Sequence, residues 1–170
     1  MNESVLSQKS LTFSNARTYL TAAVFVAGNI VLPQLCHLIP QGGLIFLPIY
    51  LFTLIGALTF GWRVGLITAV LSPLVNNVLF GMPPVAMLPV IEVKSVILAT
   101  VAGVAALKLR KLGLLSVAAI VIVAQLAGGL FEWAYKGSLA YAVQDFRIGF
   151  PGLILQIIAG YVAVRLMSKK

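Results

Sequence analysis

The chain has 170 residues, of which 61% are hydrophobic and 9% charged, with a mean hydropathy of +1.06. Soluble domains carry about a quarter charged residues, so the composition excludes one and predicts an all-α integral membrane protein, a single membrane domain over residues 1–170. The formal charge of +8 does not imply nucleic acid, because the basic residues cluster at the ends of apolar segments, where they direct topology rather than bind phosphate.

From Met1 to Ala16 the chain is polar. It lacks the apolar core of a signal peptide, so no cleavable leader is expected. The apolar segments predict a six-transmembrane-helix bundle with spans over residues 17–35, 44–60, 64–80, 85–107, 114–133 and 150–167. The second and third are near the short limit for crossing a bilayer, which takes about 20 residues. Only Gly61, Trp62 and Arg63 separate them. One continuous helix would leave Arg63 in mid-membrane, and Gly61 argues for a break. Cys36 and His37 are the only residues of their types. They allow no intrachain disulfide and no cysteine metal cluster, and they read as ordinary loop residues; no cofactor is expected.

With six spans, Lys9, Arg17, Arg63, Lys108, Arg110, Lys111, Arg165, Lys169 and Lys170 fall on one side, and Lys136 and Arg147 on the other. This bias places both termini in the cytoplasm. The run Lys108, Arg110 and Lys111 reads as a topology determinant or a contact with anionic membrane lipids. The outward loops are then residues 33–43, 81–84 and 134–149. The first and third either fold over the mouth of a cavity or simply connect helices.

Ionisable groups at membrane depth cost roughly 2.5–3.5 kcal/mol each on insertion scales, so those inside spans need a reason. Pro73 inside span three removes a backbone donor and predicts a kink. Ser72 and Asn76 lie one turn apart on the same face. For Asn76 and Asn77, a cavity wall and interhelical hydrogen bonding are equally supported. Glu92 falls roughly 10 Å below the outer surface at 1.5 Å per residue. Its stripe continues through Ser95, Ala99, Gly103 and Ala106, small residues that face other helices rather than lipid. Lys94 is on a different face; it either snorkels toward the surface or meets an acid from another helix or a ligand.

Span five aligns Gln125, Gly129, Glu132 and Lys136. Glu132 can pair with Lys136 one turn on, and Trp133 suits an interfacial aromatic belt. Span six aligns Gly152, Gln156 and Gly160. Glu92, Gln125 and Gln156 converge if these stripes face one another. The third outward loop adds Gln144, Asp145 and Arg147. The expected substrate-binding set is therefore Asn76, Asn77, Glu92, Lys94, Gln125, Glu132, Trp133, Gln144, Asp145, Arg147 and Gln156. No Gly-x-Ser-x-Gly elbow, His-Glu-x-x-His zinc motif or P-loop is present in the sequence, so neither an enzyme nor a self-energised pump is expected.

Leu71-Ser72-Pro73-Leu74 followed by Gly81-Met82-Pro83-Pro84, within short spans between cytoplasmic ends, resembles the substrate-binding S components of energy-coupling factor (ECF) vitamin transporters. Pro48 in span two, the Gly61 to Gly65 turn and an acid in span four fit the same pattern. The resemblance implies a non-catalytic subunit that captures a micronutrient outside, then docks on a transmembrane coupling subunit driven by a pair of ATPases. It implies a docking face of small residues on the first helix, which Ala23 and Ala27 match. Met1-Asn2-Glu3 lacks the histidine motif of the nickel and cobalt members, which discounts metal cargo. The mixed charges of the expected site suit an amphoteric or hydrogen-bonding vitamin, such as a pyridine, pyrimidine, pteridine or pantothenate-like molecule. A stand-alone facilitator or channel for a small polar solute, or a structural membrane protein, are the alternatives.

Overall fold

The computed structural model describes residues 11–109 and 111–168. Lys9, Arg110, Lys169 and Lys170, used in the charge argument, and the segment Met1–Glu3 lie outside the described residues. Helix α1 (Ala16–Cys36) begins where the Asn15 side chain accepts a hydrogen bond from the Arg17 amide at 2.9 Å, which satisfies one of the free donors of the first turn. It buries Thr18, Ala22, Val26, Asn29 and Pro33, an i, i+4 stripe that packs on the rest of the bundle. There follow α2 (Gly42–Phe46), a 3-10 turn (Pro48–Tyr50), α3 (Leu51–Phe60), α4 (Trp62–Phe80), α5 (Leu88–Lys108) and α6 (Leu114–Lys136). Two four-residue helices, α7 (Leu139–Ala142) and α8 (Gln144–Arg147), lead into α9 (Phe150–Ser168). The described residues contain no strand.

Among the described residues five helices, α1, α4, α5, α6 and α9, are long and apolar enough to cross a membrane; a sixth apolar segment, Pro48–Phe60, is shorter. The expected second span over residues 44–60 is not one helix. Leu47 takes a left-handed backbone (φ 47, ψ 46) between α2 and the 3-10 turn, and Pro48 cannot donate the bond that would continue α2. The break between spans two and three falls where the sequence places it. Gly61, at φ 97 and ψ 167, adopts a conformation that a side chain would oppose, and α4 restarts at once. Helix α4 runs unbroken through Pro73. The fourth span begins later than expected, at Leu88, because Val85 to Met87 belong to a turn.

Chain direction sets the two ends of the bundle. The amide of Leu11 donates to the carbonyl of Phe60 at 3.0 Å, so the start of α1 and the end of α3 share one end, with Lys108 and the last turn of α9. The other end carries residues 37–50, 81–87 and 137–149. Helix α5 is the hub, packing on α3, α4 and α6. It buries Val90, Lys94, Leu98, Ala102 and Ala106 along one line and Ser95, Ala99 and Gly103 along the next. A Cβ on Gly103 would overlap Cβ and the backbone of Trp62, which is how α5 approaches the start of α4 so closely.

Candidate functional site

At the end away from the chain termini lies a cavity of about 440 Å³, within the size range of small-molecule sites. One wall comes from Pro33 and His37 at the end of α1 and from Ile39, Pro40 and Gln41 beyond it. Gly42, Gly43 and Leu44 of α2, with Pro48 and Ile49 of the 3-10 turn, form the next. Asn76 of α4, the Met82 to Pro84 turn, Met87 and Ile91 complete it. Met82–Pro83 is a cis peptide. The described residues hold two non-glycine positions at positive φ, Gln41 and Leu47. Gln41 lines the cavity and Leu47 directly precedes Pro48 in its wall. Such a backbone costs about 1–3 kcal/mol per residue and gathers at ligand sites.

Beneath the cavity lies a polar core between α1, α3 and α4. Asn29 donates from Nδ2 to Thr53 Oγ1 and Ser72 Oγ, both at 3.1 Å, and its Oδ1 accepts from the Phe52 amide at 3.2 Å. Asn76, 1% exposed, donates from Nδ2 to the carbonyls of Asn29 (2.8 Å) and Ser72 (2.9 Å). Its Oδ1 accepts a long bond of 3.4 Å from Gln34 Nε2. Asn77 donates to the Pro83 carbonyl at 2.7 Å and thereby holds the turn. Gly81 closes α4 with its amide donating to Asn77 O at 2.8 Å.

A second polar cluster lies between α5, α6 and α8. Lys94 Nζ donates to Glu132 Oε2 at 2.9 Å and to Asp145 Oδ2 at 2.6 Å; the three residues are 6%, 5% and 8% exposed. Lys136 Nζ meets Glu132 Oε1 at 3.2 Å, lies over the Tyr141 ring at 4.4 Å, and reaches Met87 Sδ at 2.9 Å. Two lysines and two carboxylates cancel one another. A Cβ on Gly128 would sit 2.9 Å from Lys94 Cγ, so the glycine admits the aliphatic stem.

Of the residues expected to bind substrate, Asn76 lines the cavity and Asn77 braces its rim. Lys94, Glu132 and Asp145 satisfy each other instead. Glu92 is half-buried, and its Oε1 has no hydrogen-bond partner among the described residues. Gln125 and Gln156 are buried; neither polar side-chain atom of Gln156 finds a partner among the described residues. No hydrogen bond among the described residues joins Glu92, Gln125 and Gln156. Trp133 and Arg147 are exposed, and Gln144 starts α8 half-buried. Ala23 and Ala27 are both exposed on the outer face of α1. His37, read from sequence as an ordinary loop residue, lines the cavity, as does Gln41; their place in an outward loop was the available signal. Nothing in the sequence marked Asn29.

A bundle of apolar, membrane-length helices that encloses a small-molecule cavity at one end is the build of a membrane protein that holds a solute. A family model described as ECF transporter, substrate-specific component, matches residues 17–168, and the chain belongs to that family. It is a multi-pass membrane protein of a transport family whose members are substrate-specific uptake subunits, not enzymes. No curated protein and no solved structure matches it.

Proposed function

We propose that the chain is the capture subunit for a vitamin or related micronutrient in a prokaryotic plasma membrane. It crosses six times with both termini in the cytoplasm, and a coupling subunit with an ATPase pair powers uptake. The observation that carries this reading is the cavity's position. It lies at the end opposite Arg17, Arg63, Lys108, Lys111 and Arg165, the end that the positive-inside rule assigns to the exterior. The segment from Gly42 to Phe60 makes the sixth crossing, supported by the Leu11–Phe60 bond at one end and the contact of Gly42 with Cys36 at the other.

Substrate enters past the exposed Ile39, Pro40, Met82 and Pro84 and meets Asn76 at the wall. Asn77 keeps the Met82 to Pro84 turn in place. The Lys94, Glu132, Asp145 and Lys136 cluster ties residues 139–147 to α5 and α6. Ala23 and Ala27, one turn apart and exposed, offer a surface on which a partner helix can approach closely.

The test is co-expression with a coupling subunit and ATPase pair. The wild-type chain co-purifies with them. Ala23→Leu with Ala27→Leu lowers recovery of the complex at least tenfold while the isolated subunit keeps its thermal stability. Equal recovery of the double variant removes the docking face from the proposal. Uptake into vesicles that contain this chain alone would favour a facilitator instead.

A further inference from the structure

We infer that the part of the substrate held in the cavity is electrically neutral, is mainly an apolar ring system, and offers an N–H or O–H donor to Asn76. This rests on the cavity being the substrate site.

The lining includes no aspartate, glutamate, lysine or arginine. Among the described residues the lysines and aspartate nearest to it are paired, and Glu92 is not among the lining residues. Lys136 touches Met87 from behind the wall but is paired with Glu132 and lies over Tyr141. Lys94 and Asp145 bind each other. Glu92 follows the lining residue Ile91 but is not itself in the wall. His37 is the one titratable side chain in the lining; a ligand charge buried here meets no carboxylate, lysine or arginine, and burying an unpaired charge is far costlier than burying a neutral polar group. The mixed-charge substrate expected from the sequence assumed free ionisable groups, and the fold pairs them off.

The walls then describe the body of the ligand. Pro33, Pro40, Pro48, Pro83 and Pro84 present rigid apolar surfaces, and Met82 adds a polarisable sulfur, which favours contact with ring edges; the Met87 sulfur is taken by Lys136. The Asn76 amide supplies directionality. Both its N–H groups are used on main-chain carbonyls, which can only accept, so the orientation of the amide is settled. Its Oδ1 carries two lone pairs and, among the described residues, holds only the 3.4 Å bond from Gln34. What remains at Asn76 is an acceptor, and the complementary ligand group is a donor.

The test needs no identified ligand. In Cys36→Ser protein reconstituted in lipid nanodiscs at pH 8, single cysteines are placed in the wall (Ile91→Cys, with Met87→Cys as a second variant) and at Leu139→Cys, a position 62% exposed at the same end. Three reagents of one chemistry are compared: methyl methanethiosulfonate, which is neutral, and its anionic sulfonatoethyl and cationic trimethylammonioethyl analogues. Rates are normalised to Leu139→Cys. A preference for the neutral reagent of tenfold or more over both charged ones supports the inference. A smaller preference over either, or no reaction of the neutral reagent at both wall positions, overturns it. Failure of the transport reading shows separately, as loss of association with the coupling subunit while the neutral preference persists.

Discussion

Lys94 faces two carboxylates with one charge, and Lys136 supplies the second. Removing one partner from a buried charge cluster typically costs about 3–5 kcal/mol, because the remaining charge is stranded. Lys94→Met is expected to lower stability by about that amount, measured by thermal unfolding of the purified protein in detergent. Lys94→Met with Asp145→Asn removes one charge of each sign and leaves Glu132 paired with Lys136. Most of the loss is expected to return in this double variant; if it is as unstable as the single variant, the charge argument fails.

Asn29 is predicted to matter through hydrogen bonding alone. Asn29→Ala strands Thr53, Ser72 and the Phe52 amide and is expected to cost about 1–3 kcal/mol in the same assay, whereas a change within experimental error would deny the polar core a structural role. The sequence showed Asn76 because Ser72 lies one turn away on the same helix. It concealed Asn29, whose side-chain partners Thr53 and Ser72 are 24 and 43 positions distant. For Lys94, the pairing with an acid from another element was one of three options in the sequence, beside snorkelling and a ligand, and only the approach of α6 and α8 selected it.

Helix periodicity predicted most faces correctly. Gln125, Gly129 and Glu132 are buried together on α6, as are Gly152, Gln156 and Gly160 on α9. On α5 the small stripe Ser95, Ala99, Gly103 and Ala106 is buried as expected, yet so is Lys94 on another face. A helix packed on several sides buries a wide arc, and one amphipathic stripe describes only part of it. The close contact at Gly103 gives a sharp test. Gly103→Ala improves helix propensity by about 1 kcal/mol, but its new methyl meets the backbone of Trp62 at 2.5 Å to Cα. Net destabilisation of about 1–3 kcal/mol is expected from overpacking. Gly113→Ala, at the N-cap of α6 with nothing within 4 Å, is the control without a clash and should cost at most about 1 kcal/mol, the preference for Gly over Ala as a cap. The broken second segment was less legible. Pro48 was visible, but the left-handed turn at Leu47 depends on α2 packing against α1 and α9.

For the molecule in its membrane, the basic residues and the cavity make one joint prediction about orientation. Reporter fusions active only in the cytoplasm should be active at both termini, and a fusion after Gly137 should be active only with a periplasmic or extracellular reporter. Termini found on opposite sides would reduce the crossings to an odd number and detach the Gly42–Phe60 segment from its proposed role.

The amino-acid order alone settled membrane residence, the helical class, the approximate helix ends and the resemblance to the ECF substrate-specific components. These follow from local quantities: hydropathy summed over a window, side-chain period, and turn residues such as Gly61 and Gly81. Which polar groups stay available to a ligand was decided by tertiary structure. Lys94 and Glu132 looked like binding residues because each is costly in an apolar span, and Asp145 because it lies in a loop at the same end. Folding brings residues 38 and 51 positions apart into contact with Lys94, and electrostatics then favours their mutual neutralisation over an unpaired wait for substrate. The cavity is left to prolines, aliphatic side chains, methionines, His37, Gln41 and Asn76, a lining drawn from residues 33–49, Asn76 and residues 82–91 that no local pattern in the sequence could join.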